Sequence, residues 1–146
     1  MSNYYDVNVL LGKKLNAVRM PDKENIYFHV DNGEIYRMYH DRDCCETVEI
    51  VDICGDLKDL VGDFILMAEM VQSKEEEFQH KKPKDYDDYI DESFTWTFYK
   101  FATIKGYVTI RWLGQSNGYY SETVDFVKFH PKDKPWKRMM NHTTTF

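Results

Sequence analysis

The sequence predicts a mainly β (α+β) fold: a single antiparallel, twisted sheet or half-barrel of about seven strands, with one or two short helices. Three observations carry this. Aromatic residues make up 16% of the chain and hydrophobic residues 42%; aromatics favour strands and supply large buried area. Apolar and polar residues alternate with period two in several runs, most clearly in the last third of the chain. Tight-turn residues punctuate those runs at Asp31-Asn32-Gly33, Ile104-Lys105-Gly106 and Ser116-Asn117-Gly118.

Taken in order, Tyr4 to Leu11 reads as one or two helical turns ended by Gly12. "KLNAVRM" alternates weakly. "NIYFHVDNGEIYRMYH" places two alternating runs around a turn whose Asn and Gly accept positive φ, the pattern of a hairpin. "ETVEIVDIC" is a strand with Val48 and Ile50 on one face. "GDLKDLVG" is a short helical turn between glycines, and "DFILMAEMV" reads as a buried strand. "ESFTWTFYKFAT", with Phe94, Trp96 and Phe98 on one face, starts a three-stranded antiparallel meander. It continues through "YVTIRWLG", with Val108, Ile110 and Trp112 aligned, into "YYSETVDFVKF", with Tyr120, Val124 and Phe126 aligned. Residues 1–128 are thus expected to form one mainly β domain. A charged excursion interrupts it at 73–92, with a helical turn at Lys74 to His80. Residues 129–146 form a basic C-terminal tail, in which "TTTF" carries no structural signal and is expected to fray.

Charge narrows the function classes. The formal net charge is −6, which argues against direct nucleic-acid binding, since that needs a basic footprint. No apolar run reaches the roughly 18–20 residues of a membrane helix, and no signal peptide is visible. Three cysteines, two of them adjacent, do not make a secreted disulfide framework, so reduced thiols and a cytoplasmic location are expected. Asp41 to Asp63 carries 8 acids against Arg42 and Lys58, and Lys74 to Glu92 carries 8 acids against 4 lysines. Two solvated faces would explain these segments; so would an acidic surface made for a basic partner. On the second reading the partner-binding acids are Asp85, Asp87, Asp88, Asp91, Glu92, Asp56 and Asp59.

Other clusters hold residue types that carry chemistry. No cofactor and no metal are expected; if a metal is held, His40, Cys44 and Cys45 are its ligands. Adjacent cysteines on a strand point to opposite faces, which disfavours a shared ion, and free cysteine usually packs as a small hydrophobe. The acids around the pair disfavour a thiolate nucleophile. Arg111, Trp112, Asn117, Tyr119 and Tyr120 combine aromatic plates with polar groups and make a candidate ligand site, against the simpler reading of a hairpin closed by Asn-Gly. No phosphate loop, dinucleotide fingerprint, His-Glu-x-x-His or Gly-x-Ser-x-Gly is present, and no enzymatic activity is expected.

Three pieces, "YHDRDCCETVEIVDICGDLKDLVG", "ESFTWTFYKFATIKGYVTIRW" and "GQSNGYYSETVDF", together resemble a small domain family of unknown function found in bacteriophages, prophages and bacteria. The resemblance runs from about Leu10 to Lys128 and brings no catalytic residue with it. It implies phage origin more than mechanism; with the acidic segments and the missing catalytic signatures, the leading expectation is a phage-encoded accessory protein that binds a host protein and inhibits a defence component such as a CRISPR effector, through those segments. The alternatives are a small-ligand protein binding a nucleotide signal, a small metal- or Cys-dependent enzyme, and an assembly protein. An aromatic-rich sheet also makes a homodimer an open option.

Overall fold

The computed structural model describes residues 4–77, 92–130 and 144–145, with side chains over 4–73 and 93–130. The mainly β class is as the alternation predicts, but the strands divide between two antiparallel sheets. The first five are β1 (Leu15–Asp22), β2 (Asn25–Val30), β3 (Ile35–Tyr39), β4 (Thr47–Cys54) and β5 (Met67–Glu77). The rest are β6 (Glu92–Thr103), β7 (Gly106–Ser116), β8 (Asp125–Phe129) and the two-residue β9 (Thr144–Thr145). One sheet has the order β8-β3-β2-β1-β9, the other β4-β7-β6-β5. The helical turns at Val7–Leu10 and Leu57–Leu60 are single 3-10 turns, each begun by an aspartate, Asp6 or Asp56, that accepts a backbone N–H two residues on.

The sheets pack face to face. Phe28 of one meets Phe101 of the other with ring centroids 5.6 Å apart. Trp112 is fully buried, and its Nε1–H donates toward Met38 Sδ at 3.3 Å. The β2–β3 hairpin forms at the predicted turn, with Gly33 at φ +96°. Glu34, just after it, accepts from Lys13 Nζ at 2.9 Å and Asn32 Nδ2 at 2.8 Å, and pairs with Lys128 Nζ at 3.0 Å.

Four expectations need correction. The meander stops after two strands: β6 pairs with β7, but β8 pairs with β3 across the sandwich, from Ile35↔Phe129 to Tyr39↔Asp125. The loop between β7 and β8 is pinned to the inside of the second sheet and carries the chain across. Tyr120 and Val124 lie in that loop, so they do not align on a strand with Phe126. "DFILMAEMV" is not a buried strand either. Ile65 and Ala68 are buried, but β5 is an edge strand on which Met70 and Val71 are 48% and 44% exposed. The backbone of Lys74 to Glu77 continues β5 opposite Thr95 to Glu92, so no helical turn begins at Lys74; Phe78 to Asp91 lie outside the described residues. Finally, Thr144 and Thr145 do not fray but pair with Met20 and Arg19 of β1. The rest of the basic tail beyond His130 is outside the described residues.

Candidate polar junction between the sheets

From Ser93 to Phe98 the alternation of β6 runs opposite to what its hydrophobicity implies, whereas Tyr99 and Phe101 are buried and Lys100 exposed as expected. Ser93, Thr95 and Thr97 are buried, while Phe94, Trp96 and Phe98 are only half-buried on the outer face. A hydroxyl-bearing face turns inward at a cost unless its polar groups are met there. Glu122 meets those of Ser93 and Thr95, while the buried Thr97 Oγ1 has no hydrogen-bond partner among the described residues. The Glu122 side chain, from the β7–β8 loop, accepts from Thr95 Oγ1 at 2.7 Å, from Ser93 Oγ at 3.2 Å, and from Ser116 Oγ. Gly114 makes room: a Cβ there would stand 2.6 Å from the Glu122 carbonyl oxygen and 2.7 Å from its Cβ. The rest of the loop is held locally. Asn117 Oδ1 accepts from the Tyr119 N–H at 3.0 Å, and Ser116 Oγ from the Gly118 N–H at 3.0 Å.

The Asp-Cys-Cys-Glu stretch ends at the same place, because Thr47 at the start of β4 pairs with Gln115 at the end of β7. Glu46 is fully buried. It accepts from the Asp43 N–H at 2.8 Å, the Cys44 N–H at 2.9 Å and His40 Nε2 at 2.7 Å. His40 Nδ1 reaches the Thr123 carbonyl at 2.7 Å. Both ring nitrogens are therefore engaged, one by a carboxylate and one by a backbone carbonyl. His40 thus ties the Glu46 turn to the Glu122 loop. Parts of the three stretches that carry the family resemblance, His40 to Glu46, Ser93 to Thr95 and Ser116 to Thr123, meet in one hydrogen-bonded junction at one end of the sandwich.

Burial alone would raise the Glu46 carboxyl, but the Asp43 N–H, His40 and the Cys44 N–H outweigh it and hold it down at about 2. Glu34 is held at about 2 as well, by Asn32 first and then by Lys13 and Lys128. Both lie below the ordinary 4.5. A depressed carboxyl adds stability above its unfolded value and loses it as pH falls through the folded one. The domain should therefore be at full strength above about pH 5 and weaken steadily between about pH 4.5 and 2, as read by melting temperature against pH. A flat profile through that window would refute the assignment of both carboxylates.

The other candidate residues scatter. Trp112 is in the core; its neighbour Arg111 projects from the opposite face, where it pairs with both Asp52 oxygens at 2.6 and 2.7 Å. Tyr119 is 84% exposed at the loop tip, edge-on to Tyr120. Arg111, Trp112, Asn117, Tyr119 and Tyr120 do not line one cavity. A groove of about 190 Å³ does include Tyr120 and Glu122, with Gln72, Thr95, Ser121 and Thr123. A second, shallow groove of about 240 Å³ on the outer face is lined by Ser73, Trp96, Phe98 and Arg111.

Asp56 caps its 3-10 turn and is exposed; Asp59 is half-buried beside Gly106. Asp85, Asp87, Asp88 and Asp91 lie outside the described residues, and only the backbone of Glu92 is described. Within the first acidic segment Glu46 is buried, Asp52 is paired with Arg111, and Asp63 stands 3.4 Å from Lys105 Nζ.

Cys44 and Cys45 are not on a strand. They occupy an exposed bend before β4 and are joined by a disulfide, whereas Cys54 is free and exposed. The expectation of one inward-packed cysteine therefore fails: the Glu46 turn places both side chains outward. Among the described residues no group of His, Cys, Asp and Glu is arranged to hold a metal ion, and no helix is long and apolar enough to cross a membrane.

Sequence reasoning missed Glu122, Glu46 and Gly114 as the organising residues of this end. The local signal in the sequence is the alternation of Ser93, Thr95 and Thr97 with aromatics, which by itself does not say which face is inward.

A family model of a domain of unknown function matches residues 8–126. No curated protein and no solved structure matches the chain.

Proposed function

The chain belongs to that family, DUF7448, and on this premise we propose that it is a binding protein: a phage-encoded accessory factor, acting in the host cytoplasm, that seats on a basic surface of a host defence component such as a CRISPR effector. The observation that supports this reading is the junction itself. Its buried carboxylates are spent on holding two loops, one tipped by Tyr119 and one flanked by the exposed acids Asp41 and Asp43. Rigid loops with an exposed tyrosine and a charged surround suit protein recognition. Acidic groups would speed encounter with a basic partner and make it salt-sensitive.

The test is protection of a phage or plasmid in cells carrying an active CRISPR system. The wild-type chain should protect. Asp41→Lys with Asp43→Lys, or Tyr119→Ala, should reduce protection by about tenfold or more, the cost of an interface anchor. Asp87→Lys with Asp88→Lys tests the second acidic segment in the same assay. Protection untouched by all of these removes the acidic-surface mechanism. No protection in any defended host, with no host protein retained on the chain, removes the inhibitor reading.

A second reading has its own observation. The outer groove sets Trp96 and Phe98 nearly parallel, 11° apart, beside the Arg111 guanidinium, which suits a planar ring carrying an anionic group. A thermal-shift panel of nucleotides that stabilises nothing at millimolar concentration counts against it.

A further inference from the structure

We propose that Cys44 and Cys45 form a thiol–disulfide exchange site, and that its redox state sets the order of the Glu46 turn. Three observations carry this, and the reducing cellular setting it assumes rests on the function proposed above. The two cysteines are adjacent, both exposed and joined to each other, so reductant reaches the bond without unfolding the core. The bond spans the Cys44–Cys45 peptide unit, next along the chain from the two units that serve the buried carboxylate: the Cys44 N–H donates to Glu46 Oε1 at 2.9 Å and the preceding Asp43 N–H to Oε2 at 2.8 Å. Arg42 Nε donates to the Cys44 carbonyl at 3.1 Å, which holds the bridged unit itself.

Structural disulfides are rare where glutathione and thioredoxin keep thiols reduced; those found there are mostly transient or redox-sensing. An exposed pair of this kind closes only the smallest of loops and restrains little of the unfolded chain, so a global stabilising role is the weaker account. The exchange is a two-electron step. A cellular thiolate attacks one sulfur, the Cys44–Cys45 bond breaks, and a mixed disulfide forms. A second thiol resolves it, leaving two protein thiols, two protons taken up and one oxidised disulfide of the reductant. In the dithiol form the backbone of residues 44 and 45 regains freedom, and the two N–H groups are held less firmly against Glu46. His40 then transmits the loosening to Thr123 and the Glu122 loop.

The experiment uses the full chain carrying Cys54→Ser, which removes the third thiol. Samples equilibrated with oxidised glutathione or with dithiothreitol are blocked with N-ethylmaleimide and weighed intact. No adduct in the oxidised sample and two in the reduced one are expected. Two adducts in the oxidised sample, or a lasting glutathione adduct on one cysteine, overturn the site. For the coupling, the melting temperature should fall by about 3 °C or more on reduction, with faster amide exchange at residues 43–46. The Cys44→Ser, Cys45→Ser chain on the same background should show no response to reductant. An equal response in that variant, or none in the parent, overturns the coupling.

Discussion

Replacement of Glu46 by alanine is expected to destabilise the domain by about 3–5 kcal/mol, the cost of leaving several buried donors unsatisfied. The carboxylate is fully buried and receives two backbone N–H groups and the His40 ring. Its removal leaves three donors without an acceptor in a site closed to water. Glu46→Gln keeps an oxygen but removes the charge and turns an amide group toward donors, so it should cost nearly as much. Urea unfolding followed by circular dichroism reads the difference. A cycle with His40→Ala should show strong coupling between the two, since they act as one unit. A loss under about 1 kcal/mol would mean that water reaches the site and that the turn is held by something else.

Glu122→Ala should cost about 3 kcal/mol, because it strands the buried hydroxyls of Ser93 and Thr95 inside the sandwich and takes an acceptor from the half-buried Ser116. Gly114→Ala attacks the same contact from the other side. Its new methyl would meet Glu122 backbone 2.6 Å away, and overpacking of this kind costs about 1–3 kcal/mol. Hydrogen exchange separates the two levels of effect. Both variants should free residues 117–124 well before the amides of β6 and β7. If the loop stays protected in Glu122→Ala, the carboxylate is not its anchor, and the inward hydroxyls must be satisfied by one another.

Much of the β architecture was legible because strands and turns are written locally. The alternation in "ESFTWTFYKFAT" and "YVTIRWLG" needs only the two-residue repeat of a strand. The Asp31-Asn32-Gly33 turn needs only residues that accept its backbone angles, and Gly33 adopts φ +96° there. The site was less legible. "DCCE" read as a ligand or thiol cluster because its residue types suit both. Its working member is Glu46, whose role depends on a histidine six residues away and on a carbonyl 83 residues from that histidine.

The sequence by itself determined the strand-forming segments, the tight turns and the net charge of −6, all properties of neighbouring residues. Tertiary structure alone decided that β8 crosses to β3, that the hydroxyl face of β6 is the inner one, and that the two cysteines point outward together. The physical reason is that burial of a polar face depends on its partner. Thr95 can turn inward only because a carboxylate 27 residues later in the chain comes to meet it.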